Sequence, residues 1–345
     1  MRFRGLVVLA VAGVMLFSFS VAMAGQLTFL LSPKSLNNPY WFAVENGMNA
    51  AAKKLGVKAI FDAPIQADAL QQAQKIEAYI VKGVNGIGIS PNDPQAIKLV
   101  VQKALKKGIP VITFDSDAPA SGRYVYIGTN NYNGGYECGK LMAKFIAKYK
   151  KNKSTIKLAI LTGGLAALNL NQRIKGFKDA LAKYVKGKKV VFVADPFPCN
   201  DDTAKSVQIM KDVSKRYSDL DGWFMSGGWP LFAPKNTVVS ALGGMKRVKN
   251  LLVVGFDTLP PELKLVEAGV VKGLVGQRPY DMGYLSIVVL YDMAKVGVKN
   301  TLKLLPKVVV NGKTDYIIDS GVDVVTQENV KGFMAKAEKI YAKNR

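Results

Sequence analysis

From residue 27 to 127 short apolar runs alternate with longer amphipathic stretches, and the same grammar starts again at 156. The runs at 27–32, 57–61, 86–90, 111–114 and 125–127 read as strands, and Trp41–Leu55, 66–82 and 93–107 as the helices between them. Strand, helix, strand in this repeat dictates a parallel sheet covered on both faces. The first stretch puts Val44, Met48, Ala51 and Leu55 on one helical face, and Gly56 supplies its C-terminal cap. The second series runs through 156–161, 172–184, 190–194, 202–217, Gly222–Met225, 236–242, 251–256, 261–268 and 271–275. Helices at Pro279–Val296 and 327–343 close the chain. Two α/β units with no Gly/Ser/Pro-rich tether between them predict two doubly wound parallel-sheet lobes, joined closely.

Composition removes several chemistries. With no His there is no Ser-His-Asp triad and no His-ligated metal, and two Cys cannot make an all-thiolate zinc site. No cofactor or metal is expected. Arg2 and Arg4 precede an uncharged apolar run at 6–21, followed by Ala22-Met23-Ala24, the small-x-small pattern of a cleaved secretion signal. Residues 1–24 are expected to be removed after Ala24 in a protein bound for the periplasm. The formal charge of +23 then falls to +21, since Arg2 and Arg4 leave with the leader. Only eight of the 48 basic residues are Arg, and the Lys are scattered mostly at predicted helix ends, where they suit the helix dipole and solubility. Nucleic acid is not expected as a partner.

In doubly wound sheets ligands lie outside the carboxyl ends of the strands. Those ends carry Asn38, Tyr40 and Trp41; Ser90; Asp115 and Asp117; and, in the second series, Asn169 and Arg173, Asn200 to Asp202, Trp229, Asp257 and Gln277. Aromatic faces cover the apolar C–H face of a sugar ring, while carboxylates, amides and an Arg meet its hydroxyls. Each residue also has a plainer reading. Asn38, Asn171, Asp93 and Asp202 suit helix caps or turns, and Tyr40 and Trp41 suit a core. Recurrence of the set at successive strand ends favours a binding site.

Six stretches carry a family resemblance in order and spacing: 37–41 (NNPYW), 83–87 (GVNGI), 108–115 (GIPVITFD), 171–177 (NQRIKGF), 253–257 (VVGFD) and 276–279 (GQRP). The chain resembles the type I periplasmic sugar-binding proteins, the ribose-, glucose- and xylose-binding receptors of ABC importers. The resemblance implies two lobes joined by three crossings that close over one monosaccharide, glucose- or xylose-like. The first lobe would take 25–128 plus 278–317 and the second 129–277 plus 318–345. Asn38 would bond a hydroxyl, Tyr40 and Trp41 would stack, Asp115 and Asp257 would accept, Arg173 would donate near the ring oxygen, and Gln277 would act beside the hinge. Ser90, Asp117 and Asn169 would be additional polar ligands. The implied partners are a membrane ABC permease and, as an open second, a chemoreceptor; the receptor would be a monomer.

The sequence departs from that pattern at Ser116, an Arg in ribose binders, and at 226–230 (SGGWP), where an Asn is common. Trp229 is expected to replace the amide with apolar cover. Function in this reading is binding and closure, with no chemical step. The same fold holding a furanosyl signalling molecule, a polyol or a nucleoside is the alternative. Cys138 and Cys199 fall in the second lobe, and the sequence leaves open whether they pair.

Overall fold

The computed structural model describes residues 25–193, 195–310 and 312–342. The leader expected at 1–24, the end of the run at 190–194 and the last residue of 327–343 lie outside them. Fourteen strands are described: β1 (Thr28–Ser32), β2 (Lys58–Phe61), β3 (Gly86–Ile89), β4 (Val111–Phe114), β5 (Tyr126–Gly128), β6 (Thr155–Thr162), β7 (Lys189–Phe192), β8 (Phe197–Pro198), β9 (Gly222–Met225), β10 (Leu252–Phe256), β11 (Gly273–Gly276), β12 (Lys307–Val310), β13 (Lys313–Asp319) and β14 (Asp323–Thr326). They form two sheets, β12-β13-β5-β4-β3-β1-β2 and β14-β11-β10-β9-β6-β7, with β8 beside β6. Within each sheet the pairs are parallel except at the margin, where β12 opposes β13 and β14 opposes β11. This is the two-lobed, doubly wound α/β fold expected.

Both faces of each sheet are covered, so neighbouring residues feed different cores. Leu30 joins Ile76, Ile80 and Val101 on one face of the first sheet, while Phe29 and Leu31 join Val44, Met48 and Leu290 on the other. In the second sheet Trp223 and Met225 point to one core and Phe224 to the other. Continuous apolar strands follow from this two-sided burial.

Helix Trp41–Leu55 buries Val44, Met48 and Ala51 and ends on Gly56 at φ 66°. The helix expected at 66–82 starts at Ala69, because the Asp68 carboxylate accepts from the Gln71 N–H and caps it. The one expected at 93–107 shrinks to Lys98–Lys106, with Asp93 holding a turn through the Gln95 N–H. The one expected at 172–184 begins earlier, at Leu168. The chain passes between sheets three times: from β5 to β6, from β11 to helix Pro279–Val296, which packs on the first sheet, and from β13 to β14. The hairpin β12–β13, absent from the sequence reading, widens the first sheet beyond β5.

Candidate functional site

Asp115 follows β4 and Asp257 follows β10, so each stands at the carboxyl end of a strand of its own sheet. Both adopt left-handed backbone, at φ 57° and 78°, conformations that cost a non-glycine residue energy and are held where the surroundings over-determine them. In each case the backbone N–H donates to the next strand, Asp115 to Ile127 O and Asp257 to Val275 O. The turn therefore aims the carboxylate back over the sheet edge and into the space between the lobes.

Nine of the eleven residues singled out in the sequence line one cleft there: Asn38, Tyr40, Trp41, Asp115, Asn169, Arg173, Trp229, Asp257 and Gln277. The space among them is about 20 Å³, room for a single water. The walls hold one another. Lys34 Nζ donates to Asn169 Oδ1 at 2.9 Å, and Asn169 Nδ2 reaches Asp115 Oδ2 at 3.4 Å, both across the gap between sheets. The Tyr40 hydroxyl donates to Asp115 Oδ1 at 3.3 Å.

Arg173 is the most constrained donor in the cleft. Its Nε donates to Asn131 Oδ1, one Nη to Ser226 O and the other to Gln277 Oε1, at 2.8 to 2.9 Å. Its guanidinium lies 4.0 Å over the Phe256 ring, and Nη2 is 4.0 Å from Asp115 Oδ1. Gln277 Nε2 in turn donates to Asp257 Oδ1 at 2.7 Å, and the Gly228 N–H to Asp257 Oδ2 at 3.3 Å. A fork fixed on four sides presents its positive face with no rotamer entropy left to lose.

Burial pushes the Asp257 carboxyl above the ordinary range, while Arg173 and the Gln277 bond pull it back down. Tyr40 is driven well above its ordinary value by burial and by the charges of Asp115 and Asp257, so it is a neutral hydroxyl that both donates and accepts. Trp41 packs edge-on against Tyr40 and Phe114, and its buried indole N–H has no acceptor among the described residues. Trp229 closes the second lobe's side, with its ring so near Gly163 and Gly227 that a side chain at either would strike it.

Two expected site residues stand elsewhere. Asp117 does not line the cleft: its carboxylate is held by Arg123, Thr113 Oγ1 and the Ala118 N–H, and Arg123 continues to Asp315 on β13. Strand β13 thus takes Asp117 as its anchor through Arg123. Ser90 lies behind the cleft and donates its hydroxyl to Asp115 Oδ2 at 2.7 Å, orienting the carboxylate. Four more residues join the lining: Lys34, Leu170 and Gly227, and Asp201, which the sequence placed at a strand end without a ligand role. Asp201, at φ 55°, is raised by burial and lowered by Lys34. Asp202 beside it caps helix Thr203–Arg216 through the Lys205 N–H. With two cations and three carboxylates, the cleft is close to balanced, which suits an uncharged, hydroxyl-rich ligand.

Cys138 and Cys199 are free, buried thiols in different cores of the second lobe; Cys138 Sγ donates to Gly255 O, and burial pushes its ionisation well up. Among the described residues no group of His, Cys, Asp and Glu is placed to hold a metal, and no helix is long and apolar enough to cross a membrane.

Two doubly wound lobes linked by three crossings, with polar side chains from both meeting in one buried cleft, define a bilobal solute receptor. The periplasmic binding protein domain matches residues 29–299, and the chain belongs to that family. It is 28% identical over 265 residues to the ribose import binding protein of Bacillus subtilis, covering 76% of this chain and 79% of that one. The D-allose-binding periplasmic protein of Escherichia coli is 27% identical over 293 residues, 83% and 89% of the two chains. Among solved structures, an ABC transporter solute-binding protein of Burkholderia graminis in complex with D-arabinose is 33% identical with a TM-score of 0.74, covering 88% of this chain and 96% of its own. A glucose-galactose binding protein of Geobacillus stearothermophilus is 26% identical with a TM-score of 0.72, covering 88% and 98%. Like these relatives, the chain is a solute-binding protein and not an enzyme.

Proposed function

We propose that this chain captures a neutral monosaccharide between its lobes and delivers it to the membrane permease of an ABC importer, with glucose- or xylose-like sugars as the first candidates. The observation that carries this reading is the bonded array of Arg173, Gln277, Asp257 and Asp115 in one lining with Tyr40, Trp41 and Trp229. Asn38, Asp115 and Asp257 bind hydroxyls, Arg173 donates near the ring oxygen, and the aromatic side chains cover the C–H faces. Asn169 and Lys34 meet the ligand from opposite lobes.

A sugar is many times larger than the water-sized space the closed walls leave, so it enters only when the lobes part. Its hydroxyls then take over bonds the walls make to each other, and closure follows because the ligand is bound by both lobes at once. The lobes expected at 25–128 with 278–317 and 129–277 with 318–345 are kept in this reading with one shift: β13 pairs with β5 through Asp319, so the third crossing falls after that residue. The protein acts outside the cytoplasm after cleavage behind Ala24, which the N-terminal mass of the exported protein tests.

A thermal-shift panel tests the ligand assignment: glucose, galactose, xylose, ribose, allose, arabinose, fructose, inositol and nucleosides, on protein refolded to strip carried-over ligand. A sugar at about 1,000 times its dissociation constant adds roughly 4 kcal/mol of stability. A large shift with one or two sugars supports the reading and names the cargo. No shift with any sugar, or a shift confined to nucleosides, overturns it.

A further inference from the structure

In a parallel sheet the strand carboxyl ends face the cleft, so the amino ends and the ends of the returning helices collect at the opposite pole. In the second lobe that pole is built by the chain entering four adjacent strands, β10, β9, β6 and β7. Residues 148–157, 186–189, 215–216 and 246–249, which lead into those strands, hold five, three, two and three Lys and Arg. Against these thirteen cations the same stretches and the link 217–221 hold two carboxylates, Asp219 and Asp221. The stretches form one surface. Lys188 donates to the carbonyls of Lys151 and Lys153, Lys150 and Lys153 both reach Asp221, and Arg247 donates to the carbonyls of Ser214 and Tyr217. The two carboxylates are saturated, leaving a net of eleven positive charges on a face about 15 Å across at the spacing of sheet strands.

We propose that this pole docks the receptor on an anionic phospholipid bilayer. Eleven of the thirteen cations are Lys, the two Arg are Arg216 and Arg247, and Arg247 spends both Nη groups on its own chain. Flexible point charges suit a diffuse charged surface, whereas bidentate recognition of individual phosphates in a nucleic acid uses Arg. Two large side chains stand exposed among the cations, the amphipathic Tyr149 at 52% and the apolar Met245 at 46%. A Tyr settles at the headgroup level of a bilayer, and an exposed apolar side chain beside it adds hydrophobic contact. The cleft faces the other way, so docking leaves it open to the surrounding solution, and it is independent of which sugar is bound.

The test compares two variants of equal net charge on the full chain. One carries Lys148→Gln, Lys151→Gln, Lys189→Gln and Lys249→Gln on the pole; the control carries Lys53→Gln, Lys54→Gln, Lys106→Gln and Lys107→Gln on the first lobe. All eight Lys are exposed. Co-sedimentation uses phosphatidylcholine vesicles with and without about one-third phosphatidylglycerol at about 0.15 M salt. The shared N-terminus cancels in the comparison. The expected result is binding of the wild type to the anionic vesicles only, at least a tenfold loss for the pole variant, and less than a threefold loss for the control. Equal loss in both variants, no binding of the wild type, or tighter retention on DNA than on anionic vesicles overturns the proposal. The sugar-induced thermal shift of each variant, read in parallel, reports the fold and cleft separately.

Discussion

Asp115 and Asp257 hold matching positions at strand ends of opposite lobes, yet their supports differ. Asp115 is surrounded by donors from both lobes, through Ser90, Tyr40 and Asn169, whereas Asp257 is bonded by Gln277 and the Gly228 N–H of its own side. Burial raises Asp257, so its charged form is the one the folded protein disfavours. The consequence for folding and for binding has opposite sign. The stability tied to this group is present below the unfolded carboxyl value and is lost as pH rises through the raised folded one. With Asp257 as the acceptor proposed for the sugar, affinity is expected to fall on acidification at a pH above the ordinary Asp range. Titration calorimetry across pH 4 to 7, ranges of order-of-magnitude choice about the unperturbed Asp value, checks this: Asp257→Asn is expected to lose about ten- to a hundredfold in affinity, the worth of a bond to a charged group, and to flatten the pH profile. An unchanged profile in that variant assigns the titration to another group. Trp229→Ala removes the aromatic cover over the second lobe's wall and is expected to weaken binding by at least about tenfold, about 1.4 kcal/mol; unchanged affinity in the same calorimeter rejects Trp229 as a ligand wall.

Trp41, Asn169 and Arg173 are carried into the cleft by helices, and glycine sets how closely those helices lie. Helix Asn131–Tyr149 meets helix Leu168–Tyr184 backbone to backbone: a methyl on Gly135 would overlap the Arg173 carbonyl, and one on Gly176 the Tyr132 carbonyl. In the first lobe Gly47 and Gly283 do the same for helices Trp41–Leu55 and Pro279–Val296. Gly135→Ala therefore pushes Arg173 itself, with an expected loss of about 1–3 kcal/mol of stability by overpacking and a fall in affinity larger than the stability loss explains. Chemical denaturation and calorimetry on the same preparation separate the two. The helix Trp41–Leu55 was legible to the residue because its apolar spacing and Gly56 agree with its tertiary burial. Hairpin β12–β13 was not: Val308 and Val309 sit at a sheet margin with Val309 75% exposed, and its pairing to β5 is set by Arg123, almost 200 positions away, bridging Asp117 to Asp315. For the same reason Asp117 reads as a ligand in sequence and is a strut in three dimensions. Lys34 was illegible because a loop Lys is ordinarily solvated, and Asp201, though it stood among the strand-end residues, was not singled out because an Asp beside a helix cap is ordinarily a second cap. Only the opposite lobe makes them lining.

At the scale of the molecule, closure is a balance of bonds between lobes, and not all of them pass through the cleft. Helix Val330–Ile340 rests on helix Pro260–Glu267 and β14 of the second lobe, but Asn46 of the first lobe donates to the carbonyls of Ile340 and Ala342 at 2.9 and 2.7 Å. Tyr341, between those carbonyls, packs against both the core around Leu263 and the core around Trp41 and Leu259, where burial and the charges of Asp257 and Glu262 hold its hydroxyl neutral. This tail ties the lobes beside the crossings at Gln277 and Asp323; Tyr341 backs the Tyr40 and Trp41 side chains, while Asn46 stands outside the cleft lining. If the tie exists only in the closed form, removing it leaves the cleft chemistry intact and lowers the closed fraction, and apparent affinity falls by that fraction. Asn46→Ala is then expected to weaken sugar binding by about three- to tenfold, and small-angle scattering is expected to show a larger radius of gyration for the ligand-free variant than for the ligand-free wild type. The sugar-saturated radii would coincide, because bound ligand restores closure. If affinity and both radii match the wild type, the tie persists through opening, and the energy of closure resides in the cleft alone.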